Sequence, residues 1–330
     1  MHSVLSCLVS DVIGPALIAN DLVAAVAGEL NHEGGVALRE YVRGISLVVE
    51  ALELQPGDRV LISPLAPSAY RHVFRSKRLV PVFADVSLED ACLNPMSVEK
   101  TISNNAALKA LFVHAPLGRI PDMNSLESFG LPLVSDIGEA LGATDGKCYI
   151  GSRGRYVILP MESHGIATAG GGTLVLASNK TALTALDTAA RHLSADAFLP
   201  DLNASLGLVQ WREYPHGLER RDIIAETYRR ALMKGNHRTL TEGIGEARSV
   251  AFSFPVILSG SMNETIKYAR NKGIETLPAF LGRMMDAYPE AEASCPKAKE
   301  LTMSTVLFPL YPTLSKQSIQ LVYKVLSTLP

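Results

Sequence analysis

The chain has 330 residues, 47% of them hydrophobic, with a formal net charge of −2 and four cysteines. That is enough apolar material to bury a large core in one big domain or two moderate ones. Near-neutral charge with scattered Lys and Arg leaves no basic footprint and argues against a nucleic-acid partner; the short pairs Arg220–Arg221 and Arg229–Arg230 fall on a predicted helix, where such pairs mark a solvated face.

From the N-terminus, residues 1–33 are expected as a helical arm. The apolar stretch from Val12 to Leu30 is interrupted by Asn20-Asp21 and Glu29, so it does not read as a membrane span, and no basic start suggests a signal peptide. Cys7, Cys92, Cys148 and Cys295 lie far apart with no C-x-x-C, which reads as reduced thiols and a cytoplasmic protein. Strands are predicted at Arg59–Ser63, Val80–Ala84, Ala110–Val113, Leu131–Ser135, Tyr156–Leu159 and Thr173–Ala177. Several are Val/Ile/Leu-rich without clean alternation, the signature of strands covered on both faces. Helical spacing of apolar residues falls between them, at Gly44–Leu54, Pro95–Ser103 and Thr181–Leu193. The pattern is α/β with a largely parallel sheet, placed in a large domain over residues 34–212. A charged helix, Leu218–Lys234, then a strand-like segment, Ser249–Ser259, and helices at Asn263–Lys272, Leu277–Ala287 and Lys316–Leu329 read as a smaller α+β domain over residues 213–330.

Six segments in order carry a resemblance. They are Ala51–Asp58 ("ALELQPGD"), Val80–Val86 ("VPVFADV"), the loop from His114 to Asp122-Met123, Asp136–Ala143 ("DIGEALGA") with Gly151-Ser152 and Gly154, Asp201–Gln210 ("DLNASLGLVQ"), and the C-terminal run through "LFPLYPTL" into the last helix. Together, over roughly residues 34–330, they resemble the DegT/StrS family of fold-type-I pyridoxal phosphate (PLP) enzymes, which act mostly on nucleotide-linked keto sugars. The resemblance implies that architecture: a large domain with a mostly parallel, seven-stranded-type sheet between helices, and a smaller C-terminal α+β domain. It also implies a homodimer with sites built across the interface, near the Asp201–Trp211 helix.

The resemblance further implies a Schiff-base lysine, because an amine is the nucleophile of that chemistry. Laid against Leu159–Gly172 with the glycines in register, the lysine position falls on His164, or on Ser163 or Gly165 if shifted by one. No lysine occurs between Lys147 and Lys180. Asp136 stands where the family's carboxylate pairs with the pyridine nitrogen, or else simply caps its strand. Glu139 stands near the position of the ring hydroxyl, where a carboxylate would repel a phenolate-like oxygen unless protonated. The phosphate-holding Ser-Gly-Thr turn reads Glu40-Tyr41-Val42, the stacking aromatic reads Pro67, the serine of the lysine strand falls on Leu159 or Pro160, and the partner-subunit "N-x-R" reads Asp196-Ala197-Phe198. These changes imply that no PLP is held in the usual way, with PLP or pyridoxamine phosphate the cofactor if the site still works.

The favoured reading is therefore a member of nucleotide-sugar or surface-glycan metabolism that has lost lysine-based transamination, a pseudoenzyme binding a sugar nucleotide or an active paralogue. One alternative is a pyridoxamine-phosphate-dependent keto-sugar dehydratase with His164 as base, since imidazole moves protons but cannot replace the amine. Another is an aminotransferase with an atypical site, fed by Lys147 or Lys180. Other chemistries are weaker. Ser163-His164 with Asp136 lacks a G-x-S-x-G elbow, Gly170-Gly171-Gly172 lacks the Lys-Ser/Thr of a phosphate loop, and no histidine pair has zinc-binding spacing.

Overall fold

A computed structural model describes residues 2–9, 13–105, 107–243 and 246–330, so Met1 and residues 10–12 of the expected arm lie outside the described residues. Seven strands make the main sheet: β1 (Gly34–Leu38), β2 (Arg59–Ile62), β3 (Val80–Phe83), β4 (Leu108–His114), β5 (Leu133–Asp136), and, after a small hairpin of β6 (Thr144–Asp145) and β7 (Cys148–Tyr149), β8 (Tyr156–Pro160) and β9 (Thr173–Ala177). Their order is β1-β9-β8-β5-β4-β2-β3. The pairs from β8 through β5, β4 and β2 to β3 are parallel, while β9 runs antiparallel to both its neighbours. The six predicted strands are all present. β1 is not among the predicted strands, since two glycines at its start weaken the strand pattern. In the fold Gly35 permits close approach, since a Cβ there would meet the Val175 carbonyl oxygen at 2.2 Å.

The lack of alternation has the expected cause. Tyr156 and Ile158 of β8, with Val175 of β9, enter one core, while Val157 and Leu159 with Leu174 and Leu176 enter another on the opposite face. The helix Tyr41–Ala51, which follows β1, packs into the first of these cores. The helix Leu17–Glu29 buries Leu22 and Val26 in the second. Among the described residues the N-terminal segment carries two helices, His2–Val9 and Leu17–Glu29, and the second is built into the core rather than standing off it.

Local signals fix several boundaries. The helix Pro95–Ser103 starts with proline after Asn94, whose side chain accepts from the N–H groups of Met96 and Ser97 at 3.0 and 3.2 Å. Asn94→Ala should cost about 1 kcal/mol, seen as a lower urea midpoint with an unchanged m-value.

The C-terminal part departs from expectation in three places. The segments predicted as separate helices at Asp201–Trp211 and Leu218–Lys234 are one helix, Asp201–Leu232, continuous through Pro215. Proline inside a helix normally breaks it, which is why the sequence reads as two; residue 212 lies within this helix. Only Phe254–Ile257 of Ser249–Ser259 is strand (β10). The predicted helix Leu277–Ala287 is instead the two-residue strand β11 (Leu277–Pro278), a loop, and a 3-10 turn at Met284–Ala287. Pro278 and Gly282, the latter at φ 67°, prevent a continuous helix there. With β12 (Thr305–Phe308), these form a three-stranded antiparallel sheet in the order β10-β12-β11.

Candidate active site

The carboxyl ends of the parallel strands open into a pocket of about 320 Å³, the usual place for a ligand in such sheets. Its floor is made by the last residues of three strands, His114 of β4, Asp136 of β5 and Pro160 of β8. Tyr41, the first residue of its helix, lines one side with the Pro67-Ser68-Ala69 turn. Phe252 and Leu281-Gly282-Arg283 of the C-terminal part line it as well, the latter paired with the Pro67-Ser68 backbone.

Asp136 is buried and fully engaged. Its Oδ2 accepts the hydroxyl of Tyr70 at 2.9 Å and also the hydroxyl of Tyr41, while its Oδ1 accepts the Gly138 N–H at 3.2 Å. The two phenol rings stand edge to face, 6.1 Å between centroids. Burial, then the charge of Asp136, pushes both phenol pKa values well above their usual range, so both remain donors.

Glu139 sits one turn further on. Its Oε1 accepts Arg283 Nη2 at 3.0 Å and its Oε2 accepts the Leu117 N–H at 2.6 Å. Burial alone would raise its pKa, but Arg283 and His114 outweigh that and hold it well below the usual carboxylate range. Glu139 is therefore ionised, and the protonated form that would tolerate a phenolate-like neighbour is not the one favoured here. His114, also buried, lies with Nε2 3.5 Å from Glu139 and Nδ1 3.8 Å from Asp136. Burial would lower its pKa; Glu139 first, then Asp136, reverse this and lift it to about 8. At neutral pH an imidazolium stands between two carboxylates.

Arg283 is positioned by a backbone zipper. Ser68 N–H donates to the Gly282 carbonyl at 3.0 Å, Met284 N–H to the Ala66 carbonyl at 2.9 Å, and Arg283 N–H to Asp286 Oδ2 at 3.1 Å.

Asp136, Glu139 and His164 all line this one pocket, the first two on the floor and His164 exposed at its rim beside half-buried Glu162. Gly165 lines it too, and so do Pro67 and Pro160; Ser163 does not. Of the triplet at residues 40–42, only Tyr41 reaches in. Glu40 points to solvent, 3.8 Å from Arg43, and makes no helix cap. Asp196, Ala197 and Phe198 lie outside the pocket, as do Lys147 and Lys180. Tyr70, His114 and Arg283 were not foreseen as site residues. His114 could have been flagged as a polar residue ending a parallel strand, whereas Arg283 has no local signal because its partner is 144 positions away.

The residues present do not fit PLP held in the manner the resemblance implies. No lysine lines the pocket, the Asp136 oxygen that would face a ring nitrogen already accepts two phenols, and the helix start at Tyr41 lacks the hydroxyls and glycine of a phosphate-holding turn. Among the described residues no cluster of three His, Cys, Asp or Glu could hold a metal ion, and no helix is long and apolar enough to cross a membrane.

Residues 19–327 match the DegT/DnrJ/EryC1/StrS aminotransferase family, a likeness that begins earlier than the sequence motifs, which start near residue 34. Among curated proteins, the putative pyridoxal phosphate-dependent aminotransferase EpsN of Bacillus subtilis (strain 168) is 22% identical over 67% of this chain and 61% of its own length. The L-glutamine:2-deoxy-scyllo-inosose aminotransferase of Micromonospora echinospora is 27% identical over 52% of this chain and 41% of its own. These matches thus span only about half the length of the relatives. Among solved structures, aminotransferase TlmJ from Streptoalloteichus hindustanus superposes with a TM-score of 0.90 at 20% identity, covering 99% of this chain and 94% of that one. The putative sugar aminotransferase Spr1654 from Streptococcus pneumoniae in its PLP-form gives 0.89 at 18%, with the same coverage. At such identities the superpositions establish the fold.

Proposed function

Because the chain belongs to the DegT/DnrJ/EryC1/StrS aminotransferase family, the pocket at the ends of β4, β5 and β8 is where its activity is to be sought, and we propose that it is a non-transaminating member that binds a sugar-type ligand there. One observation carries this reading: no lysine lines the pocket. Transamination through a Schiff base needs a primary amine as nucleophile and later as proton carrier, and neither imidazole nor guanidinium can supply one. What the pocket offers instead suits a hydroxylated ligand, with half-buried Ser68 and Glu162 and exposed His164 around its opening and a charged floor behind. A cytoplasmic homodimer working in nucleotide-sugar or surface-glycan metabolism is part of the same proposal, by analogy with the family.

The second reading, a keto-sugar dehydratase using His164 as base, is favoured by His164 lining the same pocket. The engaged state of Asp136 counts against it, because such an enzyme still needs a carboxylate for the ring of pyridoxamine phosphate.

The test is direct. Purified protein is mixed with PLP, treated with borohydride and mapped by mass spectrometry, and separately titrated with pyridoxamine phosphate and with sugar nucleotides by thermal shift. The expected result is no lysine adduct, no response to pyridoxamine phosphate and a saturable response to a sugar nucleotide. A trapped adduct on Lys147 or Lys180 would overturn the proposal, and saturable pyridoxamine phosphate binding lost in His164→Ala would replace it with the dehydratase.

A further inference from the structure

Tyr41 joins the two ends of the slot that a ring cofactor would fill. Its backbone begins the helix Tyr41–Ala51, at the position matching the phosphate-holding turn. Its hydroxyl donates to Asp136 Oδ2, the carboxylate matching the partner of a ring nitrogen. One side chain therefore runs from one end to the other, and its aromatic ring lies between them.

The chemistry at the far end is that of an imitation. A pyridinium presents a flat six-membered ring with an N–H aimed at a carboxylate, and a phenol presents the same ring shape with an O–H aimed the same way. They differ in charge. A protonated ring nitrogen would neutralise Asp136, whereas a phenol does not, so a buried carboxylate facing a phenol needs further donors or a cation nearby. The structure supplies both: Tyr70 donates a second hydroxyl to the same oxygen at 2.9 Å, and His114 Nδ1 stands 3.8 Å away. Tyr70 also packs edge to face on Tyr41, at 90° between planes, and continues into Phe74 and Phe112, which fixes the wall behind the ring.

We infer that Tyr41 is a built-in occupant of the cofactor-ring slot, and that shortening it uncovers a site for a planar six-membered ring whose proton donor faces Asp136. This rests on the non-transaminating reading above and gives it a physical form: besides lacking a lysine, the slot holds the Tyr41 ring with its hydroxyl on Asp136. A ligand of the intact protein then has the space that Tyr41 leaves, about 320 Å³, with Tyr41, His114, Asp136 and Glu139 among its lining.

The experiment uses the full chain as wild type, Tyr41→Gly and Tyr41→Phe. The probes are p-cresol, which is the deleted side chain, and pyridoxine, which has the cofactor-type ring without a phosphate. Binding is read by calorimetry and thermal shift, with circular dichroism to establish folding. Wild type and Tyr41→Phe should bind neither probe. Tyr41→Gly should bind both saturably, and adding Asp136→Asn should weaken pyridoxine by roughly tenfold, as loss of a charge-assisted hydrogen bond predicts.

A folded Tyr41→Gly that binds neither probe, or a wild type that binds p-cresol equally well, would overturn the inference. If Tyr41→Gly does not fold unaided, refolding in p-cresol becomes the reading: recovery of native circular dichroism supports the inference, and failure to recover counts against it. The outcomes remain separable from those of the broader proposal. A borohydride-trapped lysine adduct on wild type ends the non-transaminating reading, whereas a folded Tyr41→Gly without probe binding ends only this one.

Discussion

Glu139→Gln is expected to destabilise the protein by about 3 kcal/mol at pH 7, because it removes the carboxylate paired with Arg283 and leaves a buried guanidinium facing a neutral amide. The geometry sets the size of the effect. Arg283 is 8% exposed and His114 3%, so water cannot take over the charge that Glu139 compensates. Glutamine can still accept the Leu117 N–H, so the backbone should hold and the loss should be electrostatic. Arg283 Nη1 and His114 Nε2 are 3.4 Å apart; without the carboxylate, His114 loses the chief group holding its proton, and no charge is left to balance the guanidinium. Urea unfolding at pH 7 measures the loss. The double variant Glu139→Gln/Arg283→Met should recover part of it, since an apolar chain is easier to bury than an unpaired guanidinium. A single variant within a few tenths of a kcal/mol of wild type would show that the floor is more hydrated than the structure implies.

The second large effect is on pH. His114 has a folded pKa of about 8 against 6.5 for the free side chain. A raised pKa means the folded state holds the proton more tightly, so this contribution is complete below pH 6.5 and is lost as pH rises through 8. The difference corresponds to about 2 kcal/mol between pH 6.5 and 9. Glu139 has the opposite sign: its depressed pKa stabilises above the ordinary carboxylate range and is lost only in acid. His32, whose pKa burial lowers, acts below pH 6.5, while the buried thiols Cys92 and Cys295, pushed up by burial, add to the fall only from about pH 9 upward. The stability of wild type should therefore fall between pH 6.5 and 9, and His114→Gln should remove most of that fall. Glu139→Gln should flatten it too, because Glu139 is the chief group lifting the His114 pKa. A wild-type profile already flat over this window would contradict the charged pairing of His114 with Glu139.

How far the sequence could be read follows from the range of the interactions. β2, β3, β4, β5, β8 and β9 are legible because each is a short apolar run whose burial on both faces is written in consecutive residues. β1 escapes because glycine's role there, admitting the Val175 carbonyl, belongs to another strand. The long helix escapes because Pro215 is a local signal that tertiary packing overrides. In the site, Asp136, Glu139 and His164 can be picked out by their places in ordered motifs, and all three line the pocket. Tyr41 is visible only as a departure from a Ser-Gly-Thr turn; that its hydroxyl reaches Asp136, 95 residues on, depends on the packing of helix against sheet. Arg283 is hidden twice over, by distance along the chain and by an apolar spacing that imitates a helix where the backbone forms a loop and a 3-10 turn.

The unbroken helix Asp201–Leu232 also bears on whether the C-terminal part can exist alone. Its first half sends Ala204, Trp211 and Tyr214 into the core beside the main sheet, and its second half sends Ile224, Ala225, Tyr228, Ala231 and Leu232 into the core around β10 and β12. At its start, Asp201 accepts the backbone N–H groups of Ala16, Ile18 and Ala19, tying it to the N-terminal segment as well. A chain severed near residue 212 would divide one rod between two fragments, each left with a frayed end and a stripe of core residues facing water. The two sheets are thus not interchangeable modules, and shuffling the C-terminal part onto another scaffold would have to carry the whole helix with it.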